Sequence, residues 1–167
     1  MTHAIRFHEH GGPEVLRWES VQVGEPGPDE ARVRHTAIGL NFIDVYTRSG
    51  LYQTPLPNAV GREAAGVIVE VGPKVRGFKK GDRVAYCGVL GAYCQERVMG
   101  VEQLVHVPKG VSDEEAAAIM LKGMTTEYLI EVFPVGHVFR PGHRILVKIH
   151  APPFVDSYYI YIPRTAP

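Results

Sequence analysis

The residues of this 167-residue chain that could do chemistry fall into a few groups. Asn41, Asp44, Tyr46 and Arg48 share one short stretch that ends at Gly50, and Tyr52 follows. At this spacing Asn41 can cap a helix, with Asp44 three residues on standing where a capping box places its acid. Asp44 and Arg48, four residues apart, can pair along the helix. Lys122 sits just before Gly123, where a lysine in a last helical turn and a glycine beyond it would satisfy free carbonyls. Thr125 follows it. Glu63 lies among Gly61, Gly66 and small residues, the surroundings of a buried structural acid. His8, His10, His35, His137, His143 and His150 invite a metal reading. The last three are spaced six and seven residues apart and lie among Pro134, Pro141 and Pro152, so they share no helical face. Cys87 and Cys94 are too few for a thiolate zinc site, and they read as small apolar residues rather than a redox pair.

The elements that must position these groups are mostly strands. Residues 4–7 and 15–18 read as a hairpin around Gly11-Gly12-Pro13. Residues 31–40 alternate as a third strand, residues 65–71 are almost wholly apolar as in a strand buried on both faces, and residues 83–86 and 105–107 follow. Two helices are predicted. One runs from Asn41 toward Gly50, and the other opens at Ser112-Asp113-Glu114-Glu115, a capping box with acids in the first turn. A separate helical segment is expected over residues 125–132, then a buried strand over 145–149 and an apolar aromatic segment from Tyr158. Short strands with frequent turn signals point to a partly open barrel.

Composition narrows the classes further. Glycine and proline number 18 and 13, well above average usage, which argues against a helical bundle. Lys plus Arg and Asp plus Glu are both 18, so the broad positive field of a nucleic-acid binder is missing. Residues 1–10 have no apolar signal core, and no stretch reaches the length of a membrane span. A cytoplasmic protein without nucleic-acid or membrane partners is expected.

Several motifs in order carry a family resemblance. They are Phe7-His8-Glu9-His10-Gly11-Gly12-Pro13-Glu14-Val15-Leu16, Asn41-Phe42-Ile43-Asp44-Val45-Tyr46, Arg48-Ser49-Gly50-Leu51-Tyr52, Gly61-Arg62-Glu63-Ala64-Ala65-Gly66, Gly81-Asp82-Arg83-Val84 and Leu121-Lys122-Gly123-Met124-Thr125. Up to about residue 150 the chain resembles the zeta-crystallin-like quinone oxidoreductases, zinc-free members of the medium-chain dehydrogenase/reductase superfamily. The resemblance implies a mainly β, GroES-like catalytic domain over residues 1–125. Residues 126–150 would form a linker helix and the first strand of a Rossmann domain, and residues 151–167 a divergent tail. It implies hydride or electron transfer from NADPH to a quinone without metal, and a homodimer in the family. Zinc relatives carry Cys and His where this chain has Asn41 and Arg62, and neither amide nor guanidinium is a usual zinc ligand.

The resemblance places Asn41, Asp44, Tyr46 and Tyr52 around the quinone, and Asn41, Tyr46, Lys122 and Thr125 at the nicotinamide end of the cofactor. Aromatic rings would wall a planar substrate, and amide or phenol groups would donate to its oxygen. The local readings stand beside these: a cap for Asn41, an ion pair for Asp44, packing for the tyrosines and a helix end for Lys122. A Rossmann domain also needs a glycine turn after its first strand, to bring backbone amides to the pyrophosphate. No glycine follows Gly142, and Pro152 and Pro153 offer no N–H. The chain is therefore expected to lack the dinucleotide site. Its alternative reading is an inactive, truncated barrel module with a binding role or none.

Overall fold

The computed structural model describes residues 1–129, 147–149 and 158–160. The chain divides into two units, Met1–Ile130 and Glu131–Pro167. The first is built on an antiparallel sheet of five strands in the order β7-β3-β5-β6-β8. These are β3 (Glu30–Gly39), β5 (Glu63–Val71), β6 (Arg83–Cys87), β7 (Glu96–Gly100) and β8 (Val105–His106). A smaller sheet pairs β2 (Arg17–Val21), β1 (Thr2–Phe7) and β4 (Asn58–Ala59) in the order β2-β1-β4. A single bridge from Ala4 to Cys94 links the small sheet to the segment before β7. The result is the open, mostly β architecture expected from the strand spacing.

β5 is buried on both faces at its N-terminal half. One face gives Ala64 and Ile68 to a core with Ala31, Val33, Val84, Tyr86, Met99 and Leu104. The other gives Ala65, which packs with Ala85 against Ala116 and Ala117 of α2 (Asp113–Leu129). Every buried apolar residue of this second cluster is alanine, so the helix backbone comes close to the sheet. A Cβ on Gly39 would strike the Ala117 carbonyl and the Glu63 carboxylate at once. The lack of bulk here is what lets β3, β5 and α2 meet at one point.

The capping box of α2 forms. Ser112 N–H donates to Glu115 Oε2 at 2.8 Å, and Glu115 N–H donates to Ser112 Oγ at 3.1 Å. Asp113 then clamps the helix to the sheet, accepting from Thr36 Oγ1 at 2.6 Å and Arg83 Nε at 2.9 Å. The Thr36 hydrogen bond, with Arg83 beside it, holds this carboxyl below the ordinary range despite its partial burial.

Three local expectations give way. The second strand starts at Arg17, because Pro13–Val15 take a 3-10 turn that buries Val15 against Phe7 and Val60. β4 and β7 are further strands that local pattern did not mark. Helix α2 does not end at Lys122: it runs through Gly123 to Leu129, absorbing the start of the segment expected from residue 125. One interior glycine costs about 1 kcal/mol, which the alanine-rich turns before it and their packing outweigh.

In the second unit, β9 (Val147–Ile149) and β10 (Tyr158–Ile160) pair antiparallel, Ile149 facing Tyr158 and Val147 facing Ile160. The apolar segment at Tyr158 thus folds back on the strand before it. Residues 150–157, where the expected loss of the glycine turn falls, lie outside the described residues, as do His137, His143 and His150.

Candidate functional site

Helix α1 (Phe42–Ser49) begins at Asn41, whose backbone is extended in the manner of an N-cap. Asp44 is 6% exposed and turns inward. Its Oδ1 accepts from the Gly61 N–H at 3.1 Å; its Oδ2 accepts from the Asn41 N–H at 3.2 Å and the Tyr93 hydroxyl at 3.0 Å. Burial, with the Asp44 charge second, pushes the Tyr93 phenol well above its ordinary range. The expected Asp44–Arg48 ion pair does not form: among the described residues no such pair occurs, and the carboxylate belongs to Gly61, Asn41 and Tyr93. Gly61 is required for this, since its φ of 92° and its closeness to the Tyr93 ring both exclude a side chain. Asp44 therefore anchors the start of α1 from beneath.

Above this anchor three groups converge that are far apart in sequence. Glu63 opens β5 and is fully buried. Its Oε1 accepts from Asn41 Nδ2 at 2.7 Å and from Lys122 Nζ at 3.0 Å, and its Oε2 accepts from the Leu121 N–H at 2.6 Å. Lys122 also donates to Asn41 Oδ1 at 2.9 Å and to the Leu40 carbonyl at 3.2 Å. Lys122 is thus neither a helix-terminal lysine nor a loose one. It reaches from α2 back to the start of α1.

The aromatic residues form a row beside the cap. Tyr46 meets Phe42, one turn earlier, edge-on at 5.2 Å, and meets Tyr52 at 5.5 Å and 64°. Gly50 ends the helix with a φ of 83°, and the turn lets the Tyr52 N–H donate to the Tyr46 carbonyl at 3.1 Å. Tyr52 remains 48% exposed and Phe42 more so, which leaves ring surface for a planar partner. A cavity of about 430 Å³ next to this helix is lined by Leu40, Asn41, Phe42, Asp44 and Tyr93, among others. A second, of about 390 Å³, lies along Leu40, Ala118 and Lys122. Thr125, one turn beyond Lys122, donates its hydroxyl to the Leu121 carbonyl at 2.8 Å.

The structure thus brings Asn41, Glu63 and Lys122 into one hydrogen-bonded cluster, sets Asp44 under it and places Tyr46 and Tyr52 against each other. Tyr93 and Phe42 also belong to this neighbourhood. Phe42 carried a signal, its four-residue spacing from Tyr46; Tyr93 carried none. Among the described residues no three His, Cys, Asp or Glu side chains gather as a metal site. Cys87 faces Glu63 across the β5–β6 ladder, and burial, followed by the Glu63 charge, pushes its thiol up.

Comparison with known proteins supplies the context. Residues 27–140 match the family model of the alcohol dehydrogenase GroES-like domain. A quinone oxidoreductase of Pseudomonas aeruginosa is 56% identical over 132 residues, 78% of this chain and 41% of that protein. A 2-haloacrylate reductase of Burkholderia is 46% identical over 159 residues, 90% of this chain and 46% of that protein. The solved quinone oxidoreductase of Pseudomonas syringae superposes with a TM-score of 0.75 at 50% identity, over 81% of this chain and 42% of that one. The Escherichia coli quinone oxidoreductase complexed with NADPH gives 0.74 at 45% identity, over 78% and 40%. The chain spans less than half the length of these relatives. With its open β architecture and these matches, the chain belongs to the alcohol dehydrogenase GroES-like domain family, with relatives among the quinone oxidoreductases.

Proposed function

We propose that residues 1–125 form the substrate-side domain of a metal-free, NADPH-dependent quinone oxidoreductase, with residues 126–150 leading toward a cofactor domain. One observation carries this reading: a hydrogen-bonded Asn41–Glu63–Lys122 cluster stands at the head of the same helix that presents the Tyr46–Tyr52 rings. An oriented donor on the same short helix as a pair of aromatic rings suits a flat, electron-poor carbonyl compound. Names among the relatives agree, with quinone oxidoreductases and a reductase of a conjugated acid. Asn41 and Arg62 stand where zinc relatives hold their ligands, and their amide and guanidinium suit a hydrogen-bonding role instead.

Lys122 and Thr125 would hold the nicotinamide end of a cofactor: three apart on α2, they offer an ammonium, bonded to Asn41 Oδ1, and a hydroxyl from successive turns of one helix. NADPH supplies the hydride when bound. In this chain Asn41 binds and polarises the substrate oxygen, Tyr46 and Tyr52 hold the ring plane, and Asp44 fixes the helix that carries them. A second reading is favoured by the residues after β9, where no glycine is available to cradle a pyrophosphate. In that reading the polypeptide takes up the quinone without turning it over.

Titration of the isotope-labelled chain with duroquinone tests the substrate reading. Saturable amide shifts are expected to centre on Asn41, Tyr46 and Tyr52, and shifts confined to other regions would contradict it. NADPH, followed by nicotinamide fluorescence, is expected to show no tight saturable binding to this polypeptide. A low-micromolar dissociation constant would overturn the binding-only reading.

A further inference from the structure

We propose that Lys122 and Glu63 are positioning residues that lock the Asn41 side-chain amide in one of its two flips. The site then always offers an N–H, never a carbonyl, to an incoming substrate oxygen. This deepens the quinone reading above and rests on it only for the identity of the ligand.

Donors and acceptors around the amide decide its flip. An amide can rotate by half a turn at almost no change in shape, so its flip is set by its neighbours. Lys122 Nζ can only donate, and it faces Asn41 Oδ1 at 2.9 Å. The buried Glu63 carboxylate can only accept when ionised, and it faces Asn41 Nδ2 at 2.7 Å. The opposite flip would set carbonyl oxygen against carboxylate and amide hydrogens against ammonium, losing two charge-assisted hydrogen bonds and gaining two repulsions. Lys122 and Glu63 also bond each other at 3.0 Å, so the three side chains close a ring with one allowed sense. One Nδ2 hydrogen is spent on Glu63. The second has no acceptor among the described residues, and Asn41 lines the cavity of about 430 Å³ beside α1. The ligand this hydrogen selects is an acceptor oxygen: a quinone, an enone or the carbonyl of another conjugated acceptor. A hydroxyl can also accept there, but only a carbonyl oxygen gains negative charge as the conjugated system is reduced.

The role differs from that of a substrate contact. Lys122 acts through Asn41, and its side chain is 57% exposed, so its replacement leaves the core intact. The test follows the Asn41 NδH₂ signals of the full chain, assigned by their loss in Asn41→Asp. In the wild type one proton is expected well downfield, on Glu63, and the other near the ordinary amide position. Duroquinone, whose fully substituted ring has no open position for a thiol, is expected to shift the proton that is not on Glu63. In Lys122→Met the amide should sample both flips, so the separation of the two protons should fall by more than half. The quinone-induced shift should fall by more than half as well, and Lys122→Arg, still a donor, should restore both. A wild-type separation in Lys122→Met would overturn the proposal, and so would a full quinone shift there. A reduced separation in Lys122→Met with no duroquinone shift even in the wild type would support the lock and overturn the quinone reading instead.

Discussion

Glu63→Gln is expected to lower the unfolding free energy by about 2–4 kcal/mol, read from denaturant midpoints at neutral pH. Three donors converge on the Glu63 carboxylate: the Asn41 amide, the Lys122 ammonium and the Leu121 N–H. Glutamine has the same size but only one acceptor oxygen. Whichever way it turns, its NH₂ group faces a donor in a pocket with no water access. The ion pair itself supplies little of the loss, because Lys122 is more than half exposed and can turn to solvent. Most of the cost comes from the part-buried Leu121 and Asn41 donors that lose their carboxylate acceptor. Because Leu121 lies in the middle of α2, the damage should reach the contact between α2 and the sheet. A change below about 0.5 kcal/mol would show that these donors find other acceptors.

The unit is also expected to lose stability as the pH falls from 6.5 toward 4, by about 3 kcal/mol in all. His35 is the cause. Its Nδ1 contacts the Cys94 carbonyl at 2.7 Å, which requires a proton there, so Nε2 accepts from the Tyr86 hydroxyl at 3.0 Å. Arg97 reaches the same hydroxyl at 3.4 Å and lies over the Tyr86 ring. A second proton on His35 would create a cation in this enclosed space next to a guanidinium. Burial, with Arg97 adding to it, pulls the imidazole from 6.5 down to about 4, while burial pushes the Tyr86 phenol up to about 12. Between pH 6.5 and 4 the unfolded chain therefore binds a proton that the folded chain refuses. Folding is favoured fully above 6.5 and progressively less below it. His35→Gln, which cannot titrate, should flatten this part of the profile. The contribution of Asp113 has the same sign but is lost at lower pH, since its folded value lies below 3.8. Equal slopes in the wild type and His35→Gln would contradict this assignment.

Much of the fold was legible because its signals are local. The alternation over β3, the apolar run of β5 and the Ser112–Glu115 box each act over a few residues and survive in the folded chain. β7 was not legible: its sequence Glu96-Arg97-Val98-Met99-Gly100 has no clean period, and pairing with β3 alone makes it a strand. The site shows the same division. The helix at Asn41 and its tyrosines could be read directly, but the use of each side chain could not. Asp44 has a plausible local partner in Arg48, yet Gly61 and Tyr93, 17 and 49 residues away, take its carboxylate. Lys122 reads as a helix end next to a glycine. Only the register that sets Glu63 at the start of β5, and the close seat of α2 on alanines, gives its ammonium a destination 59 residues back.

The quinone-side role proposed for this domain is tested most directly by joining residues 1–129 to the part of the Pseudomonas aeruginosa quinone oxidoreductase that lies beyond the stretch this chain matches. The hybrid is expected to oxidise NADPH in the presence of duroquinone. Asn41→Ala in it should lower kcat/KM about a hundredfold, as for loss of one oriented donor to a developing oxyanion. A folded hybrid that binds NADPH but reduces no quinone, or one that Asn41→Ala leaves unchanged, would contradict the account.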